Sequence, residues 1–302
     1  MQPRSLRTRL LLLSALAFGA LLFAAACDDD EEEPEDAAPT ATAAAEDETP
    51  AATIDISGVP ELDDGMLTVG SDIAYAPIEF YEEGTQNATG MDVDLMAALA
   101  AALGVDFEFQ QVADFGAVVL DLNTERYDVV MSAFSITEER SAEIDFVPYF
   151  GPVGTGILVQ AGNPKGIAAP EDLCGLNVAA QVGTFQVEQV TALNEGACAD
   201  NEINLTTFPD NPTAVQELAL GRVDAELADD PVAAYSALTS DAGLVEVATT
   251  RFEAAAYGIG VRKDSTELRA VLEQALQQII SDGTYLAILT DWGQEEFAIP
   301  RD

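Results

Sequence analysis

From Met66 onward the chain alternates short strand-like runs with longer helix-like ones, and this alternation sets what it can become. "MLTVGSDI" reads as a strand, and "VDFEFQQV" alternates apolar and polar residues as a half-buried strand does. "YDVVMSAF" is a short continuous apolar run, the pattern of a strand buried in a helix-covered sheet. "LNVAAQVG", "RVDAELAD" and "AAYGIGVRK" repeat the strand signal. Between them, "MDVDLMAALAAALG" predicts a helix ending at Gly104. "TELRAVLEQALQQIISDGTY" puts Leu268, Val271, Leu272, Ala275, Leu276, Ile279 and Ile280 on one face, with Gly283 as a stop. Strands interleaved with helices make an α/β protein with several βα units. Roughly 240 residues, from about Pro60 to Asp302, suffice for one large domain or two small lobes.

The residues before this part read differently. Arg4, Arg7 and Arg9 precede "LLLLSALAFGALLFAAA", an apolar run too short and wrongly flanked for a membrane span, so residues 1–26 are expected to be a signal peptide. The alanines before Cys27 resemble a bacterial lipobox. Of three cysteines, Cys174 and Cys198 can pair, which leaves Cys27 for a lipid anchor. Residues 27–60 follow as an acidic, Ala/Thr/Pro-rich stretch without apolar periodicity, expected to be a disordered tether.

With 54 Asp and Glu against 12 Lys and Arg, the chain has no basic footprint for nucleic acid. It has no histidine, and with Cys27 lipidated only two cysteines remain, so neither a zinc site nor a Ser-His-Asp machine is expected, nor any other metal or cofactor.

In α/β sheets, ligands sit at the carboxyl ends of strands, where helix N-termini offer backbone N–H groups. After "YDVVMSAF" comes Ser135-Ile136-Thr137-Glu138, which has capping-box spacing, and Arg140 sits within reach of Glu139 and Glu143. The alternative is that Ser132, Ser135 and the helix N-terminus face a small anion that Arg140 grips bidentately, a free carboxylate above all. After "LNVAAQV", Gly183-Thr184-Phe185 is a tight turn into a helix that suits the same anion. Asp229 follows "GRVDAELA" and is either an ammonium acceptor or a helix cap before Pro231. Asp72 also ends a strand, with Tyr75 and Phe115 as aromatic walls or core. Together these groups complement an α-amino acid zwitterion.

At this point the chain resembles the bacterial extracellular solute-binding proteins of family 3, the polar amino-acid receptors of ABC importers. The likeness runs over 65–293 and is carried by "LTVGSDIAYAPIEF", "TGMDVDLMAALAAALG", "YDVVMSAFSITEERSAEIDFVPYF", "NVAAQVGT", "GRVDAELAD" and "YGIGVRKDSTELRAVLEQALQQIISDGTY". The resemblance implies a two-lobe periplasmic-binding-protein fold of type II, each lobe a mixed sheet flanked by helices, joined by two hinge crossovers. Lobe 1 is expected to be 62–151 plus 257–302, and lobe 2 to be 152–256. By the same resemblance Arg140 binds the ligand carboxylate with Ser135 and the N–H groups near Thr184 and Phe185. Asp229 takes the ammonium, helped by the segment of Ser132, Ala133 and Phe134. Tyr75 and Phe115 flank the side chain, while Asp72 and Gln181 read its polar end. Phe185, Ile78 and Ala133 depart from residues common in the family, and Cys174 and Cys198 fit the paired cysteines of some relatives.

The implied function is a non-catalytic, monomeric receptor on the outer face of the bacterial cytoplasmic membrane, handing a polar or cationic L-amino acid to an ABC permease. The competing expectation is a periplasmic cyclohexadienyl (prephenate/arogenate) dehydratase on the same fold, with Asp72 or Asp229 as general acid.

Overall fold

The computed structural model of the protein describes residues 54–240 and 245–300. The expected leader, Cys27 and most of the tether lie outside the described residues. In chain order the elements begin with β1 (Met66–Ser71), β2 (Ala74–Tyr75), β3 (Glu79–Tyr81), β4 (Ala88–Thr89), α1 (Met91–Leu103), β5 (Asp106–Gln111), α2 (Val118–Asn123), β6 (Val129–Val130) and α3 (Glu138–Glu143). They continue with β7 (Asp145–Gln160), β8 (Asn177–Gln181), α4 (Phe185–Glu195), β9 (Asn204–Phe208), α5 (Asn211–Ala219), β10 (Ala225–Asp229) and α6 (Asp230–Thr239). The last are β11 (Val245–Val261), α7 (Thr266–Ser281) and α8 (Thr284–Asp291).

Among the described residues, eight strands form one sheet in the order β5-β1-β6-β11-β7-β10-β8-β9, and β2-β3-β4 form a small second sheet. The pairs β5/β1, β1/β6, β10/β8 and β8/β9 are parallel, as expected for βα units. The two long strands in the middle are antiparallel to each other, with Asp145 opposite Val261 at one end and Gln160 opposite Val245 at the other. One end of this ribbon lies beside β6 and the other beside β10, so both halves of the sheet hang from it. The register shifts repeatedly between Val247 and Gly258, where the ribbon passes from one half to the other. The fold is therefore two mixed α/β lobes joined by two crossovers.

Helix α1 stops where Gly104 adopts φ 74°, a left-handed conformation that glycine enters without a Cβ penalty. In α7 the seven apolar residues expected on one face are all buried. The run "YDVVMSAF" gives a much shorter strand than expected. After Val130 the chain turns away, because the Ser132 hydroxyl accepts from the Asp72 N–H, and Ala133, at φ 44°, donates its N–H to Asp92. The expected tether through residue 60 also needs correction at its end. Val59 is 2% exposed and packs in the core beside Leu62, because an apolar side chain there finds a hydrophobic neighbourhood.

Cys174 and Cys198 are bonded, with their Cα atoms 5.1 Å apart, tying the turn before β8 to the segment after α4. Closing a 24-residue separation should stabilise the protein by about 3 kcal/mol. A Cys174→Ser/Cys198→Ser variant should therefore show a denaturation free energy lower by about that amount, measured by chemical unfolding.

Candidate functional site

The carboxyl ends of β1, β6, β8 and β10 and the start of α4 converge on one cavity of about 20 Å³. It is lined by Asp72, Tyr75, Phe115, Ser132, Ala133, Ser135, Arg140, Gln181, Thr184, Phe185 and Asp229, together with Glu79 and Gln186. This is the strand-end placement that the fold class dictates. Gly183 has φ 73°, and a Cβ there would stand 2.7 Å from the Gly116 backbone nitrogen, so the turn into α4 needs glycine.

Arg140 is 7% exposed, and neither the capping box at Ser135 nor a surface pairing of Arg140 is formed among the described residues. Ser135 is not the cap of α3; the Thr137 hydroxyl is, accepting from the Arg140 N–H at 3.2 Å. Nor does Arg140 pair with Glu139 or Glu143 among the described residues. Its guanidinium donates to the Ser135 carbonyl (2.6 Å) and the Gly183 carbonyl (2.9 Å), so it bridges from α3 to the turn after β8. Its centre lies 4.2 Å from the Phe134 ring centroid and 5.8 Å from that of Phe115. Burial lowers its pKa to about 10, partly offset by Glu188 and Asp229, which leaves it charged at neutral pH.

Asp229 occupies the N-cap position of α6, but its side chain makes no capping bond. It turns into the cavity, where it accepts from Gln186 Nε2 (2.8 Å) and from the Tyr75 hydroxyl (3.2 Å). The Tyr257 hydroxyl stands beside it, off ideal hydrogen-bond geometry. Burial raises its pKa from the ordinary 3.8 to about 6, against the lowering effect of these donors and of Arg140. At neutral pH it is an ionised carboxylate whose hydrogen-bond donors are all uncharged.

Asp72 accepts from Gln111 Nε2 (2.7 Å) and from Gln181 Nε2, and burial raises its pKa despite both bonds. Glu79 accepts from the Ser132 hydroxyl at 2.7 Å and lies beside Asp92, which is held by Tyr149 and the Ala133 N–H. Burial pushes both acids of this pair up, and Glu79 further through the charge of Asp92, so the pair retains a proton at neutral pH. Thr184 donates its hydroxyl to the Gln181 carbonyl and opens α4 at Phe185, where helix geometry leaves the first N–H groups without intrahelical acceptors.

Every residue expected at the site lines the cavity except Phe134, which lies under the Arg140 guanidinium as its apolar floor. Two lining residues were missed. Gln186 shares the buried face of α4 with Gln189 and Val190, an i, i+3, i+4 pattern visible in "FQVEQV". Glu79 is an acid inside the otherwise apolar-aromatic run "YAPIEF", a signal of a buried carboxyl.

Over residues 67–295 the sequence matches the bacterial extracellular solute-binding proteins, family 3. The chain belongs to that family. Among its relatives, the arginine-binding protein ArgT of Corynebacterium glutamicum is 31% identical over 236 residues, 77% of this chain and 75% of the relative. An ancestral arginine-binding protein bound to arginine superposes with a TM-score of 0.70 at 34% identity, covering 76% of this chain and 98% of that one. The ancestral amino acid-binding protein AncCDT-1, a precursor of cyclohexadienyl dehydratase, gives 0.67 at 34% identity, covering 77% and 97%. This family-3 chain is thus a solute-binding protein of an amino-acid transport family, and no helix among its described residues is long and apolar enough to cross a membrane.

The raised acids set the pH dependence of folding. An acid whose pKa is higher in the folded protein keeps a proton there that the unfolded chain has lost, so stability falls as pH rises between the two values. For Asp229 that window runs from 3.8 to about 6, and the Glu79–Asp92 pair extends it upward. The melting temperature should be several degrees higher at pH 5 than at pH 7.5. Asp229→Asn should flatten the part of the profile between pH 4 and 6, as followed by calorimetry.

Proposed function

We infer that the protein captures a free L-amino acid with a cationic or polar side chain between its two lobes and presents it to an ABC permease. One observation carries the reading. A buried guanidinium with no ion pair among the described residues, Arg140, shares a cavity with a buried carboxylate held only by neutral donors, Asp229. Each lacks the opposite charge that burial normally demands, and the two charged ends of an amino acid would supply both. Arg140 and the N–H groups opening α4 take the carboxylate, while Asp229 and Tyr75 surround the ammonium.

The balance of charge supports a cationic side chain. Once a zwitterion has matched Arg140 and Asp229, Asp72 still stands at the wall with two amide partners and no cation. Tyr75, Phe115 and Phe185 are the flat surfaces against which an aliphatic or planar side chain packs. The arginine named for two similar proteins agrees with this assignment. Lobe 1 is assigned residues 62–151 plus 257–302, and lobe 2 residues 152–256. The cavity has room for about one water, so the lobes must part to admit the ligand and close on it afterwards. Cys27, lipidated after removal of residues 1–26, would hold the receptor on the outer face of the membrane.

Arg140→Ala and Asp229→Ala should each weaken binding by roughly 2–5 kcal/mol while the fold survives, as read by calorimetric titration and circular dichroism. Full-strength binding by either variant sinks the assignment. Thermal shifts of protein stripped of ligand by unfolding and refolding, measured against the twenty common L-amino acids, identify the ligand. At 100 times its Kd the right one adds about 2.7 kcal/mol. A large shift with arginine or lysine gives Asp72 its role, whereas glutamate binding best by a wide margin would contradict that role.

A second reading is dehydration of a prephenate-like acid, favoured by one feature. Glu79 suits a general acid better than the expected Asp72 or Asp229, because it faces the cavity, burial and the charge of Asp92 raise its pKa well above the ordinary value, and the pair it forms with Asp92 holds a proton. Release of phenylpyruvate from prephenate, abolished by Glu79→Gln, would decide for it.

A further inference from the structure

Gln186, which holds Asp229 in the cavity, is itself one member of a chain of buried polar groups. Its Nε2 donates to Asp229 Oδ1 at 2.8 Å and to the Thr155 hydroxyl at 3.1 Å. The Thr155 hydroxyl donates to Gln189 Oε1 at 2.8 Å, and Gln189 Nε2 donates to the Glu253 carbonyl at 3.1 Å. A carboxylate stands at one end and a carbonyl at the other, and both only accept. Each amide can therefore adopt one orientation alone, and every bond in the chain has a fixed direction.

The chain's course is informative. Thr155 lies in β7 and Glu253 in β11, the two crossovers between lobes. Glu253 adopts φ 43°, and the register shifts just before it, between Thr249 and Phe252, and across it, between Phe252 and Ala255. Thr155, Gln186 and Gln189 are at most 2% exposed, yet only Gln186 lines the cavity. Apolar side chains of similar size would fill the space without needing partners, so the polar choice has its meaning in what the chain connects.

We propose that Thr155 and Gln189 are positioning residues: through Gln186 they hold the Asp229 carboxylate in the geometry that receives the ligand's ammonium, and they anchor that geometry to the crossover at Glu253. Neither touches the ligand. Replacing either one lets the Gln186 amide rotate and withdraws a fixed donor from Asp229. Occupation of Asp229 and the conformation of the crossover at Glu253 are thereby linked, and that linkage is reciprocal. The proposal rests on the amino-acid reading of the site.

Titration calorimetry tests it on the purified protein. The twenty L-amino acids are first tried on the unmodified chain, and the tightest binder becomes the probe for Thr155→Val, Gln189→Leu, the double variant and Thr155→Ser. Each of the first two should weaken binding about three- to tenfold, the range of one buried hydrogen bond. Because both break the same chain, the double variant should bind no more weakly than the poorer single, and Thr155→Ser should regain most of the affinity lost in Thr155→Val. Unchanged Kd values with a lowered melting temperature would make the chain a stability feature alone and overturn the proposal, as would losses that multiply in the double variant. If Thr155→Val fails to fold, Gln189→Leu decides by itself. An unmodified protein that binds none of the twenty overturns the amino-acid reading and the positioning role together, whereas a binding protein with indifferent variants overturns only the positioning role.

Discussion

Strands β7 and β11 are bonded to each other along nearly their whole length, and the two halves of the main sheet hang from them. Each lobe would be an ordinary parallel sheet with helices on its faces if it stood alone. The ribbon makes the two share one framework, so the ends of β1 and β6 face those of β8 and β10 across a narrow gap. The gap is where strand ends and helix N-termini from both sides meet. Its chemistry follows from which side chains the sequence places at those ends.

What it places there is charge without countercharge. Burying an ion without a close partner costs several kcal/mol, and proteins usually avoid it by pairing or by shifting protonation. This site does some of each. Glu79 and Asp92 keep a proton between them, and Asp72 and Asp229 are softened by amide and phenol donors. Arg140 is met by two carbonyls and two aromatic rings. Neutral donors and acceptors hold the charges in place without cancelling them, which leaves the Coulombic attraction available to a guest. A preformed field of this kind costs folding stability in return for selectivity, consistent with the raised carboxyl pKa values.

Much of this was legible in the letters. The periodicity of "TELRAVLEQALQQIISDGTY" specified the buried face of α7, and the strand-end rule pointed to Asp72, Ser132, Ser135, Thr184 and Asp229, all of which line the cavity. What stayed illegible depended on long-range partners. Ser135-x-x-Glu138 satisfies a capping box on spacing, yet Ser135 pairs with Tyr257 in β11, and the cap falls to Thr137. Val129 and Val130 are the only strand residues of a long apolar run, because Ser132 and Ala133 find better partners in Asp72 and Asp92, 60 and 41 residues away. Phe134, expected with Ser132 and Ala133 beside the ammonium, is instead a floor beneath the Arg140 cation. Single-residue spacing cannot encode such competition, since the winning partner arrives from another element.

The same long-range bonds bear on how closure works. Gln181 donates to Asp72, Tyr75 to Asp229, and Arg140 to the Gly183 carbonyl, and each bond joins the β1–β6 side of the gap to the β8–β10 side. The groups that would bind a ligand are thus also the groups that bind the lobes to each other. A ligand entering the gap exchanges some of these direct contacts for its own, and it favours closure only by the difference between the two sets. Arg140 illustrates the exchange. Two carbonyls already satisfy part of its donor fork, so a carboxylate gains most if it reaches the remaining N–H groups and leaves those bonds intact. Selectivity then lies less in any single contact than in whether a guest completes both walls without breaking the bonds that hold them together.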